Sequence, residues 1–379
     1  MQITEIDAFL VEGRPHCFIN VHTDTGIVGV GEADAPGMER ATHGAVYDLG
    51  SHIVGRDPRN VEGLWDRMYN GAAWNWGPVS MTALSGLEMA LWDIAGKDAG
   101  VRVCDLFGGP MRERIKVYAN GVIGGSPAEA ATAAQSILDR GYDVTKFMPF
   151  ADAAGDAAWP SREIRQRGVD RLSAVRDAVG MDLEIGVELH GVHPPQVAIE
   201  LAQLVEPFDP LFIEEPVPPE NIDAMRRLRD RVTLPIATGE RLLSIFDYRD
   251  FFEHPTPADI VQPDVNNCGG ISQLHKIAAM AQAEYIPIAP HNSRGPVATA
   301  AAAHVCAVVP NFLILEYFPD LPANRQALIA GAERVENGFY HLPDGPGLGV
   351  ELNDDAMVPY DPPERTDSTY TRGYRDLWA

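Results

Sequence analysis

Along the 379-residue chain the spacing of apolar and polar positions changes character twice. Near the start the period is short. "FINVHTDTGIVGVGEA" sets two β-rich runs around the turn signal "DTG", the pattern of antiparallel strands joined in a hairpin. From residue 40 to residue 100 the spacing is helical, and "SMTALSGLEMALWDIAGKDAG" ends on Gly, a C-terminal helix signal. From "IKVYANGVI" (115 to 123) onward, short apolar runs alternate with amphipathic stretches such as "RGVDRLSAVRDAVG" and "PQVAIELAQLVEP". The strands predicted there are 116–120, 143–148, 183–189, 211–214, 234–238, 259–262, 286–290 and 312–316. Eight strands separated by helices predict an α/β fold with a parallel sheet, closed as a TIM-like (β/α)8 barrel rather than left open. After residue 330, "NGFYHLPDGPGLGVELN" reads as turns and strands, a tail able to return onto the N-terminal region. The units expected are an N-terminal region over 1–114, onto which the tail 331–379 could return, and a barrel over 115–330.

Composition narrows the partners more than the fold. Hydrophobic residues at 45% and charged residues at 22% suit a globular chain. A net charge of −24 argues against nucleic acid and anionic membranes, whose binding rests on Lys and Arg. An anionic small molecule remains possible if the site supplies local positive charge. Cys17, Cys104, Cys268 and Cys306 form no CxxC and read as buried free thiols of a reducing compartment. "MQITEIDAFLVEG" has no basic stretch before an apolar core, and no run approaches membrane-spanning length, so the expected location is the cytoplasm.

Three acids follow a rule. Glu188 ends the third barrel strand, Glu214 in "LFIEEP" ends the fourth, and Glu240 in "PIATGER" follows the fifth. The separations are equal (214 − 188 = 26 and 240 − 214 = 26), about one strand–helix unit, which places the acids alike on neighbouring strands. In a barrel that place is the C-terminal mouth, where active sites are built. Any one of them could be an N-cap. Together they would repel one another unless a cation sat between them, and hard oxygen ligands select Mg²⁺, one per chain. Glu215, adjacent to Glu214, points to the other face and is expected to make a structural contact.

Asp264 in "DIVQPDVNNCGG" and His291 in "IPIAPHNSRG" end the sixth and seventh strands. A carboxylate within reach of the imidazole would fix its tautomer and stabilise its cation, making a general base. Lys146 closes the second strand, where it would supply positive charge to an anionic ligand or simply be solvated. Glu316 ends the eighth and could hydrogen-bond the ligand. Arg241 could do the same or pair with a neighbouring acid. In "VELHGVHPP", Glu188 and His190 would share a strand face, and His193 is expected to be a loop residue.

These motifs, with "SGLEMALWDIAGK", "IEEP", "TGER" and "PDGPGLGVELN", resemble the enolase superfamily, in its mandelate racemase subgroup and the galactonate dehydratase-like acid-sugar dehydratases within it. The resemblance implies an α+β capping domain over a modified (β/α)7β barrel, and Mg²⁺ on Glu188, Glu214 and Glu240. It implies removal of the proton α to a carboxylate, giving a metal-stabilised enediolate, and a homo-oligomer. The His base beside Mg²⁺ is a known pattern of such sites. Two departures are informative. Where racemases and epimerases carry KxK on the second strand, this chain has Lys146-Phe147-Met148, and Met148 cannot move a proton. The first ligand is Glu188 where Asp is usual.

The resemblance then implies that His190 is the acid protonating the departing β-hydroxyl while His291 acts as base, the product being a 2-keto-3-deoxy acid. The alternative for His190 is a group orienting Glu188. The long loop 149–164 could fold over the mouth, and no Tyr lies between Tyr142 and Tyr248 to act as a base. Arg14, His16, Trp74 and Trp76, with Tyr69, match loops that select substrate in the family, although such aromatics also suit a cap core. The expected function is Mg²⁺-dependent dehydration of a sugar acid, an aldonate of hexonate or pentonate size. The alternatives are a one-base isomerase or cycloisomerase of a related acid, or an inactive ligand-binding relic.

Overall fold

The computed structural model describes residues 1–11, 16–71, 77–121, 123–151, 159–320, 325–330 and 333–360. The cap begins with an antiparallel sheet of β1 (Ile3–Val11), β2 (His16–Thr23) and β3 (Val28–Glu32). Helices α1 (Glu39–Gly50), α2 (Val61–Asn70), α3 (Pro78–Ala99) and the short α4 (Val103–Leu106) follow. The 22-residue α3 is buried around most of its circumference, because it lies between the cap sheet and the barrel. It packs so closely on β3 that a Cβ at Gly29 or Gly31 would stand 2.1 Å from Ala90 O or 2.0 Å from Gly86 O. Glycine is needed at both places for that approach.

The barrel alternates strand and helix. Its elements are β4 (Arg114–Ala119), α5 (Pro127–Asp139), β5 (Val144–Phe147), α6 (Arg162–Val179), β6 (Glu184–Glu188), α7 (Pro195–Val205), β7 (Phe212–Glu214) and α8 (Ile222–Arg229). They continue through β8 (Ile236–Thr238), α9 (Ile245–Phe251), β9 (Ile260–Val261), α10 (Ile271–Ala283), α11 (Pro296–Val308) and β10 (Leu315–Tyr317). Strands β4 to β9 are parallel neighbours in order, and β10 pairs parallel with β4 to close the ring. The seventh strand expected over 286–290 is reduced to bridges from Ile288 to Val261 and Phe312. Pro287 and Pro290 flank it and lack the N–H groups a longer ladder would need.

The tail serves both units. Residues β11 (Ile329–Ala330), β12 (Val335–Glu336), β13 (Phe339–His341) and β14 (Glu351–Leu352) form short antiparallel pairs, and β13 pairs with the start of β4 in the barrel. Beyond it the chain returns to the cap. Val103 donates to Gly347 O (2.9 Å), and Tyr360 donates to Leu10 O (2.8 Å).

Two cap carboxylates pin cap to barrel through helix N-termini, where unsatisfied N–H groups favour an anion. Glu88 of α3 accepts from Ile271 and Ser272 at the start of α10 (2.7 and 2.8 Å). Glu32 at the end of β3 accepts from Gly295, Val297 (3.1 Å) and Ala298 (3.0 Å) at the start of α11. All four cysteines are buried and free. No helix among the described residues is long and apolar enough to cross a membrane.

Candidate active site

Period-two alternation stacks two inward layers in the barrel. The lower is an apolar plug that includes Val144, Phe212, Ile260 and Ile314. Two residues further along the same strands stand Lys146, Glu214, Gln262 and Glu316, all buried. Glu188 joins them, register partner of Glu214 across β6 and β7. A charged layer thus rests on an apolar floor, at the C-terminal ends of the strands.

Lys146 is the hub. Its Nζ lies 3.0 Å from Glu188 and 2.9 Å from Glu316, and donates to Glu214. Burial pulls the lysine's pKa down, but Glu188, Glu214 and Glu316 more than reverse that, so it stays cationic. One ammonium does not offset three carboxylates. Burial, and then the charge of Glu188, push Glu214 well above its ordinary value despite Lys146. Gln262 Nε2 donates to the other oxygen of Glu214 (2.5 Å). A buried, all-oxygen donor set with this surplus of negative charge fits a hard divalent ion such as Mg²⁺. The glutamates are nevertheless an open set. Among the described residues, only His16, Glu32 and Asp34 bring three potential ligand atoms within 4.8 Å of one another.

Glu240 lies two residues past the end of β8, with Oε2 at 3.5 Å from His291 Nε2. The same nitrogen is 3.5 Å from Glu316 Oε2, while Nδ1 meets Asp264 Oδ2 at 2.6 Å. Burial would lower the imidazole pKa, but Glu240, Glu316 and Asp264 lift it to about 9. Asp264 is held ionised against its own burial, chiefly by Arg294 (Nε at 3.3 Å) and then by His291. The carboxylate fixes Nδ1, so Nε2 is the atom free to exchange a proton with a ligand.

Glu188 and His190 do lie side by side, but for a reason other than strand periodicity. β6 ends at Glu188, and His190 sits in a left-handed turn at φ +60°, a conformation strained for a non-glycine residue. Its N–H donates to Glu188 Oε1 (3.0 Å), and its Nδ1 lies 3.4 Å from the same oxygen. Arg241 braces the turn, donating to His190 O (2.7 Å) while its Nε stands 3.4 Å from Glu215 and 3.6 Å from Glu240. Of the two roles open to Arg241, these bonds are those of pairing with neighbouring acids. Glu215 also accepts from Thr238, as a structural contact.

Glu316 has both oxygens engaged, with Asn120 Nδ2 (2.6 Å) and Lys146 on one and Asn292 N (2.8 Å) on the other. Lys146 and His291 overcome its burial and hold its pKa at about 2. An ionised carboxylate accepts but cannot donate, so its own bonds aim Lys146 rather than reach for another carboxylate.

His16 is buried at the cap edge against Asp34, and His193 is buried in its loop. Tyr69 stacks on Trp65 at 4.7 Å. Arg14, Trp74, Trp76 and positions 152–158 of the 149–164 loop lie outside the described residues. Sequence reasoning missed Gln262, Asn120, Asn292 and Arg294. Gln262 left a signal, a polar residue at the end of the apolar run "DIVQ" with the inward phase of Ile260. Arg294 left none, since only loop geometry brings it to Asp264.

Residues 7–108 match the model for the N-terminal domain of mandelate racemase/muconate lactonizing enzyme, and residues 129–356 match the enolase C-terminal domain-like model. The chain belongs to the mandelate racemase/muconate lactonizing enzyme family. Among its relatives is D-galactonate dehydratase of Variovorax paradoxus, 36% identical over 364 residues that cover 94% of each chain. D-galactonate dehydratase of Cronobacter sakazakii is 35% identical, again over 94% of each. A family crystal structure, the mandelate racemase/muconate lactonizing enzyme-like protein from Rubrobacter xylanophilus, superposes with a TM-score of 0.87 at 35% identity. It covers 94% of this chain and 96% of that one. An enolase superfamily member from Salmonella Typhimurium gives 0.89 at 32%, covering 94% and 97%. The capping domain over an α/β barrel is thus the family's architecture.

Proposed function

We propose that this protein is a hydro-lyase that dehydrates a sugar acid, an aldonate, to a 2-keto-3-deoxy acid. The observation that carries the reading is the placement of two histidines around one carboxylate cluster. His291 is oriented by Asp264 on one side, and His190 is turned onto Glu188 on the other. The names of the two dehydratase relatives point the same way.

Glu188, Glu214 and Glu240 would hold Mg²⁺, which as a Lewis acid on the substrate carboxylate makes the adjacent C–H more acidic. Lys146, aimed by Glu316, adds positive charge where negative charge builds on the carboxylate oxygens. In the fraction of the protein whose imidazole is neutral, His291 Nε2 takes the proton from C2, and Asp264 stabilises the imidazolium that results. The electron pair left on C2 forms the C2–C3 double bond as the C3–O bond breaks. His190 gives its proton to the departing hydroxyl, which leaves as water. The enol then tautomerises to the ketone. With Met148 in place of a second lysine, the Lys146-Phe147-Met148 segment supplies no second base, which disfavours two-base racemisation.

The test is a screen of aldonic and aldaric acids with Mg²⁺, read by semicarbazide for the α-keto product and by mass. Loss of 18 mass units with a semicarbazone signal supports the reading. An isomer of unchanged mass, or no turnover of any acid, refutes it.

A further inference from the structure

Downstream of β10 a buried ion pair reaches back to the loop that carries His291. Arg325 opens a 3₁₀ turn, Arg325–Ala327, and its partner is Glu333. Glu333 takes the guanidinium in a fork, with Nε on Oε2 (2.5 Å) and Nη2 on Oε1 (2.7 Å), and the cation lies over the Tyr317 ring at 5.2 Å. Burial works against the charge of Arg325, and Glu333 outweighs it.

That pairing uses only part of an arginine's five N–H groups. Nη1 donates to Arg294 O (2.5 Å), and Nη2 also donates to Thr299 Oγ1 (2.6 Å) and Gly295 O (3.2 Å). Glu32 of the cap holds the N–H side of the same turn, at Gly295 and Val297. From this turn two branches run to the site. The Arg294 side chain extends to Asp264 (3.3 Å) and Asn267 Oδ1 (3.4 Å), and Asp264 in turn holds His291 Nδ1. Thr299 Oγ1 accepts from Asn292 Nδ2 (2.8 Å), and the backbone N–H of Asn292 donates to Glu316. The chain just past His291 is thus fixed at Asn292, Arg294 and Gly295.

Anchoring the tail does not by itself account for this arrangement. A buried ion pair gains little net stability over apolar side chains of similar volume, because desolvation offsets the attraction. An anchor would also need only Glu333, whereas three of the guanidinium's bonds go to one loop. A planar fork engages several acceptors in fixed directions, which the single ammonium of a lysine does not. What the arrangement supplies is a set place for the loop, and a reacting group misplaced by about 1 Å loses roughly 10²-fold in rate.

We propose that Arg325 is a positioning residue for the reaction. Through the backbone of Arg294 and Gly295 and the hydroxyl of Thr299 it holds the His291 loop, so that Asp264 keeps the imidazole aimed at the substrate's α-carbon. Buried itself, Arg325 acts through the loop and not on the substrate. The choice of His291 as base rests on the dehydratase reading above.

The experiment compares wild type, Arg325→Lys and Thr299→Val, each taken as folded protein from size-exclusion chromatography. Lysine keeps a positive charge beside Glu333 and loses the fork. Valine keeps the volume of threonine and cuts the branch to Asn292. Steady-state rates are measured with Mg²⁺ on the best aldonate and on its C2-deuterated form. Arg325→Lys should lower kcat roughly 10²-fold with KM within about 3-fold of wild type, and Thr299→Val should lower kcat less. The isotope effect should stay as large as in wild type or grow, because removal of the C2 proton is the step slowed. A second readout needs no turnover. The low-field proton NMR resonance of the His291–Asp264 hydrogen bond, identified by its loss in Asp264→Asn, should move in Arg325→Lys. A mere tail anchor would lower the yield of folded protein and leave its kcat, isotope effect and resonance alone.

A kcat for Arg325→Lys within about 3-fold of wild type overturns the proposal. So does an isotope effect that collapses toward one, and so does an unmoved resonance. If Arg325→Lys does not fold, Thr299→Val decides by the same measurements. If wild type dehydrates no acid, the dehydratase reading fails, and the resonance alone judges Arg325.

Discussion

Replacing Lys146 by Met tests the electrostatics at the centre of the site. The change keeps an unbranched chain of similar length and deletes a buried ammonium in contact with Glu188, Glu214 and Glu316. Removing one partner from a buried ionic group costs roughly 3–5 kcal/mol, because the remaining charges are left uncompensated. Unfolding entropy of about 2.1 cal/mol/K per residue gives about 0.8 kcal/mol/K for a chain of 379 residues, so melting in EDTA should fall by about 4–6 °C. Mg²⁺ binds the folded state and adds about 2.7 kcal/mol at one hundred times its Kd. In the variant no ammonium competes for the carboxylates. Mg²⁺ should therefore bind more tightly and raise the melting point more than in wild type, narrowing the gap. Turnover should nevertheless fall roughly 10²-fold or more, since the charge aimed at the substrate carboxylate is gone. Thermal melts in EDTA and in Mg²⁺, with calorimetric titration of the ion, measure each part. A metal-free variant melting within about 1 °C of wild type, or equal Mg²⁺ shifts in the two proteins, would refute the assignment of Lys146 as the cluster's counter-charge.

Three further outcomes are expected. His291→Asn should abolish exchange of the α-proton with deuterated solvent and lower turnover roughly 10²- to 10⁴-fold; exchange continuing at the wild-type rate would remove His291 as the base. His190→Asn should stop water loss but leave α-proton exchange running, and simultaneous loss of both would contradict the division of labour between the histidines. Stability should also carry the signature of His16. Its folded-state pKa of about 9 lies above the ordinary 6.5, so its contribution is full below pH 6.5 and is lost as pH rises through 9. The stability advantage of wild type over His16→Asn should shrink by up to roughly 3 kcal/mol across that window in denaturant melts, whereas parallel pH curves would show that the ring is not held as a cation.

Much of this was legible in the chain because a barrel strand obeys a local rule. Alternate residues face inward, and each strand–helix unit takes a similar length. The 26-residue interval could therefore place Glu188, Glu214 and Glu240 on successive strand ends, and strand-end Lys146 and Glu316 could be read as mouth residues. The hairpin, the long helix and the turn-rich tail announced themselves through period and glycine punctuation in the same way.

Packing decided what depends on distant segments. The prolines around Ile288 were visible, but their effect on the ladder appeared only once its neighbours were in place. A left-handed turn, not strand phase, sets His190 beside Glu188. Lys146 gathers acids from three different strands, and Glu32 meets Gly295 across 263 residues of sequence. Local pattern determines which faces are polar. Only closure of the barrel and docking of the cap decide which of those polar groups meet, because burial and charge compensation are properties of the neighbours and not of the residue.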